Sequence, residues 1–141
     1  MVLNKDCVRD TLIYIEQNCI YYDDPKFGHR LHEVTFNEIC KTEELSKYSQ
    51  DDKYYTIQKL FEGNYIKGYV IPKKSYDKFR YANIESLSLR GHELLDNIKP
   101  KPVWDKTKSA LKHIESISLD AMSKVAGETM VTYVKSIMNL N

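Results

Sequence analysis

Gly63-Asn64-Tyr65-Ile66-Lys67-Gly68-Tyr69-Val70-Ile71 and, after a polar excursion, Ile84-Glu85-Ser86-Leu87-Ser88-Leu89 are the stretches on which the fold turns. The first run is rich in β-branched and aromatic residues, and the second alternates in polarity with a period of two, unlike the helical spacing on either side. Together they predict a hairpin whose long tip is Pro72–Asn83. Two strands alone are marginally stable, so the hairpin has to rest on neighbouring helices.

The segment before it reads as three helices. Asn4 caps the first, which runs to about Asn18, with Val8, Leu12, Ile15 and Cys19 recurring at spacings of four, three and four. Residues 20–30 read as a loop broken by Pro25 and Gly28. Leu31-His32-Glu33-Val34 is a candidate short strand. Thr35-Phe36-Asn37-Glu38 has the T-x-x-E form of a capping box, with Val34 and Ile39 as its hydrophobic staple, and starts a second helix from Phe36 to about Glu44. Ser49 caps the third, which carries Asp51 and Asp52 in its first turn and ends at Gly63-Asn64. Its apolar face is Tyr54, Ile57, Leu60 and Phe61, which leaves Tyr55, Thr56, Gln58 and Lys59 outward.

After the hairpin, Arg90-Gly91 turns the chain into a short helix with Leu94, Leu95 and Ile98, closed by Pro100 and Pro102. Val103, Trp104, Thr107, Leu111 and Ile114 then form one helical stripe. Leu119, Met122, Ala126, Tyr133 and Ile137 form another, capped by Ser118. Gly127 within it points to close packing on another helix.

Composition sets the outer bounds. The 141 residues fit one domain of ordinary size, and 42% hydrophobic against 29% charged residues is enough to bury a core. A net charge of +1 excludes a strongly basic nucleic-acid coat and an acidic DNA mimic, though not a local basic patch. Met1-Val2-Leu3 runs straight into Asn4-Lys5-Asp6, without the apolar stretch of a secretory signal, and no run is long enough for a membrane span. Cys7, Cys19 and Cys40 are odd in number and form no C-x-x-C, so they read as reduced thiols in a cytoplasmic protein.

Helix, short strand, two helices and a two-stranded hairpin is the order of a winged helix-turn-helix domain. The expected class is therefore mainly α (α+β): a winged helix-turn-helix core with a two-stranded β wing over residues 1–99, and a C-terminal helical extension over 100–141. Several segments carry a family resemblance: Asp6-Cys7-Val8-Arg9-Asp10, Tyr55-Thr56-Ile57-Gln58-Lys59-Leu60 with Tyr65-Ile66, Leu87-Ser88-Leu89-Arg90-Gly91-His92-Glu93-Leu94-Leu95-Asp96, and Val103-Trp104-Asp105-Lys106-Thr107-Lys108. In these the chain resembles domain-of-unknown-function family 2513, frequent in bacteriophages and prophages, over about residues 4–138. The resemblance implies a phage setting, hence a bacterial host cytoplasm, and a winged-helix core. It implies no activity and no site residues.

The chemistry points two ways. Lys73, Lys74, Lys78 and Arg80 face only Asp77 within the twelve-residue tip, with Tyr76, Phe79 and Tyr81 interleaved; basic residues there suit phosphates. The third helix, which would enter a groove, offers Tyr55, Thr56, Gln58 and Lys59. Against this, the same helix holds two cations (Lys53, Lys59) and three carboxylates, and residues 1–71 hold nine basic and twelve acidic side chains. Two functions are expected from this balance. The first is a non-enzymatic DNA-binding (transcriptional) regulator acting on double-stranded DNA through Tyr55, Thr56, Gln58 and Lys59 in the groove and Lys73, Lys74, Lys78 and Arg80 on the backbone. The alternative is a protein-binding winged helix that inhibits or adapts a host protein, for which abundant tyrosine, 11 residues, is the sign. His29-x-x-His32 lacks a second close pair to complete a metal site, and no P-loop, G-x-S-x-G or Rossmann glycine pattern occurs. No cofactor, metal or catalysis is expected. A homodimer through the last helix is.

Overall fold

Asn4 opens the first helix as its side chain implies: Oδ1 accepts from the Cys7 N–H at 3.0 Å, and α1 runs over Lys5–Asn18. The structure, a computed structural model, describes residues 1–73 and 76–139. The elements after α1 are β1 (Tyr21–Asp24), β2 (Gly28–Leu31), β3 (Val34–Thr35), α2 (Phe36–Lys41), α3 (Gln50–Glu62), β4 (Ile66–Ile71), β5 (Tyr81–Leu87), α4 (Leu89–Ile98), α5 (Lys101–Leu111) and α6 (Leu119–Ile137). The architecture is mixed, with several helices and two small antiparallel sheets, β1-β2 and β3-β5-β4. The chain divides into two compact units at Gly91/His92.

In the first unit the apolar stripes of α1 and α3 close on the inner face of the three-stranded sheet. Val8, Leu12, Ile15, Ile39, Ile57, Leu60 and Ile84 are all fully buried. Thr35 ends β3 and caps α2, its Oγ1 accepting from the Glu38 N–H at 3.1 Å, with Val34 and Ile39 buried beside it as the staple requires. The Glu38 carboxylate is engaged elsewhere, accepting from Tyr14 Oη at 2.6 Å. Burial and this bond push the Tyr14 phenol up to about 12. Ser49 caps α3 through the Asp52 N–H, and Asn64, at φ +60°, supplies the left-handed residue that ends it.

Four local expectations are corrected. Residues 20–30 are not a loop but the β1–β2 hairpin, paired from Tyr21↔Leu31 to Asp24↔Gly28. The signal was in its turn: Asp24 Oδ1 accepts from the N–H of Lys26 and of Phe27, and Gly28 takes φ +78°, the left-handed position that closes a three-residue connection. The second helix stops at Lys41. Thr42, extended at ψ 140° with its hydroxyl on the Glu44 carboxylate, breaks it before a 3-10 turn at Glu43–Leu45. In the hairpin the second strand starts at Tyr81, three residues early, and Leu89 is exposed on α4. Ile114 lies outside its stripe because α5 ends at Leu111, ahead of the β-branched and serine-rich run Ile114–Ser118.

In the second unit Leu94, Leu95, Ile98, Val103, Trp104 and Thr107 are buried. Ser118 caps α6, whose first half buries Leu119, Met122 and Ala126. Its second half does not follow: Tyr133 is half-buried and Ile137 exposed. No helix among the described residues is long and apolar enough to cross a membrane.

Gly91 marks a close backbone approach within the first unit. A Cβ there would stand 2.0 Å from the Tyr65 carbonyl oxygen, whereas one at Gly127 would meet Asn97 Nδ2 at 3.5 Å, an ordinary contact. Gly91→Ala should therefore lower stability by about 3 kcal/mol. Gly127→Ala, inside a helix, should raise it by about 0.5–1 kcal/mol. Urea unfolding followed by circular dichroism measures both, and equal effects at the two sites would refute the assignment of Gly91 as a close backbone approach.

Candidate nucleic-acid interface

The buried face of α3 is rotated from the expected one. Ile57, Leu60 and Phe61 point inward as anticipated, but so do Lys53 and Thr56, while Tyr54 is half-exposed. Contacts with α1 cause the rotation. Thr56 Oγ1 donates to Cys7 Sγ at 3.5 Å, and Asp52 Oδ2 accepts from Asn4 Nδ2 at 3.2 Å. Thr56, expected on the outward face, has 0% exposure and cannot touch a ligand. Lys53 reaches the Cys40 carbonyl with its Nζ at 3.4 Å.

The face turned away from α1 is occupied by the tip of the β4–β5 hairpin. Phe79, counted in the sequence among the tip aromatics, is buried: its ring stacks on Tyr54 with centroids 4.1 Å apart, and Tyr54 Oη donates to the Phe79 carbonyl at 2.7 Å. Phe36 meets both rings edge-on. One turn along, Gln58 Nε2 donates to the Asp77 carboxylate, and Phe61 stacks on Tyr76 at 5.7 Å. Positions 54, 58 and 61, one ridge of the helix, are thus matched by Phe79 and by Asp77 and Tyr76 of the 3-10 turn Tyr76–Lys78 that precedes it. Burial and the Asp77 charge raise the Tyr54 phenol above its ordinary value.

What α3 still offers solvent is Asp51, Tyr55, Lys59 and Glu62. Lys59 Nζ lies 2.8 Å from Glu62 Oε2 and 5.3 Å from the centroid of the Tyr55 ring. The hydrogen bond to Glu62 holds its ammonium above the usual range. Of the four groove residues proposed from sequence, Thr56 is buried, Gln58 is tied to Asp77, Lys59 is paired with Glu62, and Tyr55 lies under the Lys59 ammonium.

The hairpin itself is different. Lys67, Lys73, Lys78 and Arg80 are exposed, and none forms an ion pair with a carboxylate among the described residues. Lys74 lies outside the described residues. On the outer face of the sheet, Tyr69 is 41% exposed, Ile71 48% and Tyr81 37%. Ile71 pairs directly with Tyr81, and Tyr69 with Asn83, whose Nδ2 donates to Glu33. Lys67, Tyr69 and Ile71 drew no functional reading from the sequence. The signal was present, since they alternate with the buried Ile66 and Val70 and must share the outward face.

The histidine pair does not converge. His29 Nδ1 lies 3.1 Å from Asp23 Oδ1 with its ring stacked on Tyr21, and His32 Nε2 lies 3.6 Å from Glu38 Oε1. Among the described residues no three His, Cys, Asp or Glu side chains are placed to hold a metal ion. The three cysteines are free thiols; burial pushes Cys7 up, and Cys19 up to about 11.

The model of the family described as "Hypothetical protein (DUF2513)" matches residues 2–118, most of the chain. The chain belongs to that family. It is a phage- and prophage-associated family, which bears out the resemblance in α1, α3 and the Leu87–Asp96 segment. No curated protein and no solved structure matches the chain. The family match thus covers α1 to α5, with α3 and the β4–β5 hairpin inside it.

Closure of the tip on α3 is open to direct test. Phe79→Ala removes a buried ring and should lower stability by about 3 kcal/mol, with faster amide exchange at Asp77 and Lys78. Gln58→Ala breaks one half-exposed bond and should cost about 1 kcal/mol or less. Unchanged exchange in the Phe79→Ala protein would contradict the anchoring role of this ring.

Proposed function

We propose that the chain is a winged-helix protein acting as a non-catalytic, DNA-binding regulator, with β4–β5 as the wing. Supporting this is the order α1-β3-α2-α3-β4-β5 with sheet order β3-β5-β4, which is how a helix-turn-helix core carries a wing. The observation that carries the function is the segregation of charge. Lys73, Lys78 and Arg80 are exposed around the hairpin tip with no carboxylate ion pair among the described residues, Lys74 is next to them in sequence, and α3 begins with Asp51 and Asp52. Attraction to DNA is mostly phosphate neutralisation, so the wing supplies it. The mode differs from the groove reading expected at first: Tyr55 and Lys59 are the α3 residues left to approach a base edge, and contacts are chiefly to the backbone.

A second reading, binding of a host protein, is favoured by one observation. The β1–β2 hairpin exposes Tyr21, Tyr22 and Phe27, the last flanked by Lys26 and Arg30 at 5.4 and 5.3 Å. Aromatic and arginine side chains of this kind are typical interface anchors.

Fluorescence anisotropy on mixed-sequence duplexes separates the readings. Four phosphate contacts imply a slope of about −3.6 in log affinity against log salt, roughly a hundredfold loss between 50 and 200 mM. Replacing Lys73, Lys74, Lys78 and Arg80 with Ala should weaken binding on every duplex and flatten that slope. Unaltered affinity would remove the wing. No retention on DNA or heparin, with a host polypeptide co-purifying, would carry the second reading.

We also propose that α6 pairs with a second copy of the chain. Its C-terminal half exposes Val131, Val134, Ile137 and Met138, more apolar surface than α5 covers. Light scattering at tens of micromolar should give twice 16.6 kDa, reverting to 16.6 kDa in Val134→Glu. A monomeric mass for the unaltered chain would reject pairing.

A further inference from the structure

The outer face of the β4–β5 hairpin combines two features that phosphate binding to a duplex does not require together. One is aromatic. Tyr69 and Tyr81 are exposed with Ile71 between them in the ladder, and their ring centroids lie 6.2 Å apart at 41°, so they do not stack on each other and each keeps a flank toward solvent. The other is cationic: Lys67 is exposed at one end of β4, and Lys73 and Arg80 are exposed in the chain just beyond Ile71 and just before Tyr81. The carboxylates nearest in the ladder are Glu85 of β5, half-buried, and Glu33, held by Asn83; Asp77 is turned to Gln58.

A duplex hides the faces of its bases in the stack, so exposed tyrosines gain nothing from it beyond edge and sugar contacts. An unpaired base presents its whole π-face, and every base has one. Aromatic rings bordered by cations are the composition of surfaces that bind single strands, the rings taking bases and the cations tracking phosphates. An acidic peptide would use the cations but would leave the rings without flat partners.

We propose that this face is a stacking platform for a single-stranded polynucleotide, with bases on Tyr69 and Tyr81 and phosphates on Lys67, Lys73 and Arg80. The proposal rests on the reading of the hairpin as a nucleic-acid-binding wing and names the strand state it prefers. Local melting beside a bound duplex, or a single-stranded end, would present such a ligand.

The test uses the full chain and anisotropy with labelled oligothymidylate of about twelve nucleotides, the matching oligouridylate, and the oligothymidylate–oligoadenylate duplex. The single strand should bind more tightly than the duplex. Tyr69→Ala and Tyr81→Ala should each weaken it about tenfold and leave duplex affinity within about twofold, while Tyr69→Phe, which keeps the ring, behaves as the parent. Both tyrosines are exposed, and thermal unfolding confirms that the variants fold. The same tyrosine dependence on oligouridylate supports the proposal and shows that the sugar is not read. Equal losses on single strand and duplex, or none on the single strand, overturn the platform while the four-cation variant still reports a binding wing. Absence of binding by the unaltered chain to all three probes overturns the platform and the nucleic-acid reading together.

Discussion

Phe79 lying on Tyr54 is the contact from which the arrangement of the first unit's free surfaces follows. A nine-residue connection between β4 and β5 has many conformations to lose, and closing it requires a compensating burial. Phe79 supplies this as the one fully covered aromatic of the tip, stacked on Tyr54 and braced edge-on by Phe36 from α2. Once it is seated, the backbone on either side is committed. Asp77 arrives at Gln58 and Tyr76 at Phe61, and Lys73, Lys78 and Arg80 are left exposed. A single hydrophobic anchor therefore decides both what α3 has lost as a reading surface and what the hairpin presents instead.

The carboxylates of the third helix can be understood in the same way. Asp52 is bound to Asn4 while its own N–H satisfies Ser49, so it ties together the N-termini of α1 and α3. Its acidity there complements the helix dipole and serves the fold. The consequence for a ligand is nonetheless electrostatic: an anion brought to this end of α3 meets Asp51 and Asp52 where a phosphate-binding helix would offer bare N–H groups. Lys59, the half-buried cation of the helix, is already held by Glu62.

Much of this was legible in the chain itself, and what was not has identifiable physical causes. The caps at Asn4, Thr35, Ser49 and Ser118 were readable because a cap is a local device, a side chain bonded to an N–H two or three residues on. Strand β4 was readable from its change of period. The β1–β2 hairpin was missed because its strands are exposed on both faces, so Tyr21–Asp24 and Gly28–Leu31 show no alternation; only the Asp24 turn and Gly28 betray it. Thr56 and Phe79 were misplaced for a further reason. Periodicity shows that a helix has an inner face but locates its centre only within about one residue, and the partner settles the rest. Here Cys7 draws Thr56 inward, and Tyr54 draws Phe79 onto the helix from far along the chain.

The outer face of β4 shows how the two kinds of information combine. β4 is an edge strand of its sheet, a position that invites pairing with other chains and is ordinarily protected by charge or irregularity. Lys67 and the register shift between Lys67 and Gly68 provide that protection at one end. They account for Lys67 without any ligand, but they leave Tyr69 and Ile71 unexplained, since polar residues there would guard the edge better. Alternation alone says only that these side chains point away from Ile66 and Val70; the ladder adds that Tyr81 joins them and that nothing among the described residues buries them. Aromatic surface kept on an exposed edge, next to cations without a carboxylate partner among the described residues, is a worse solution for the free protein than a polar face would be. That cost to the unbound chain is the physical reason the proposed binding function is assigned to the hairpin and not to α3.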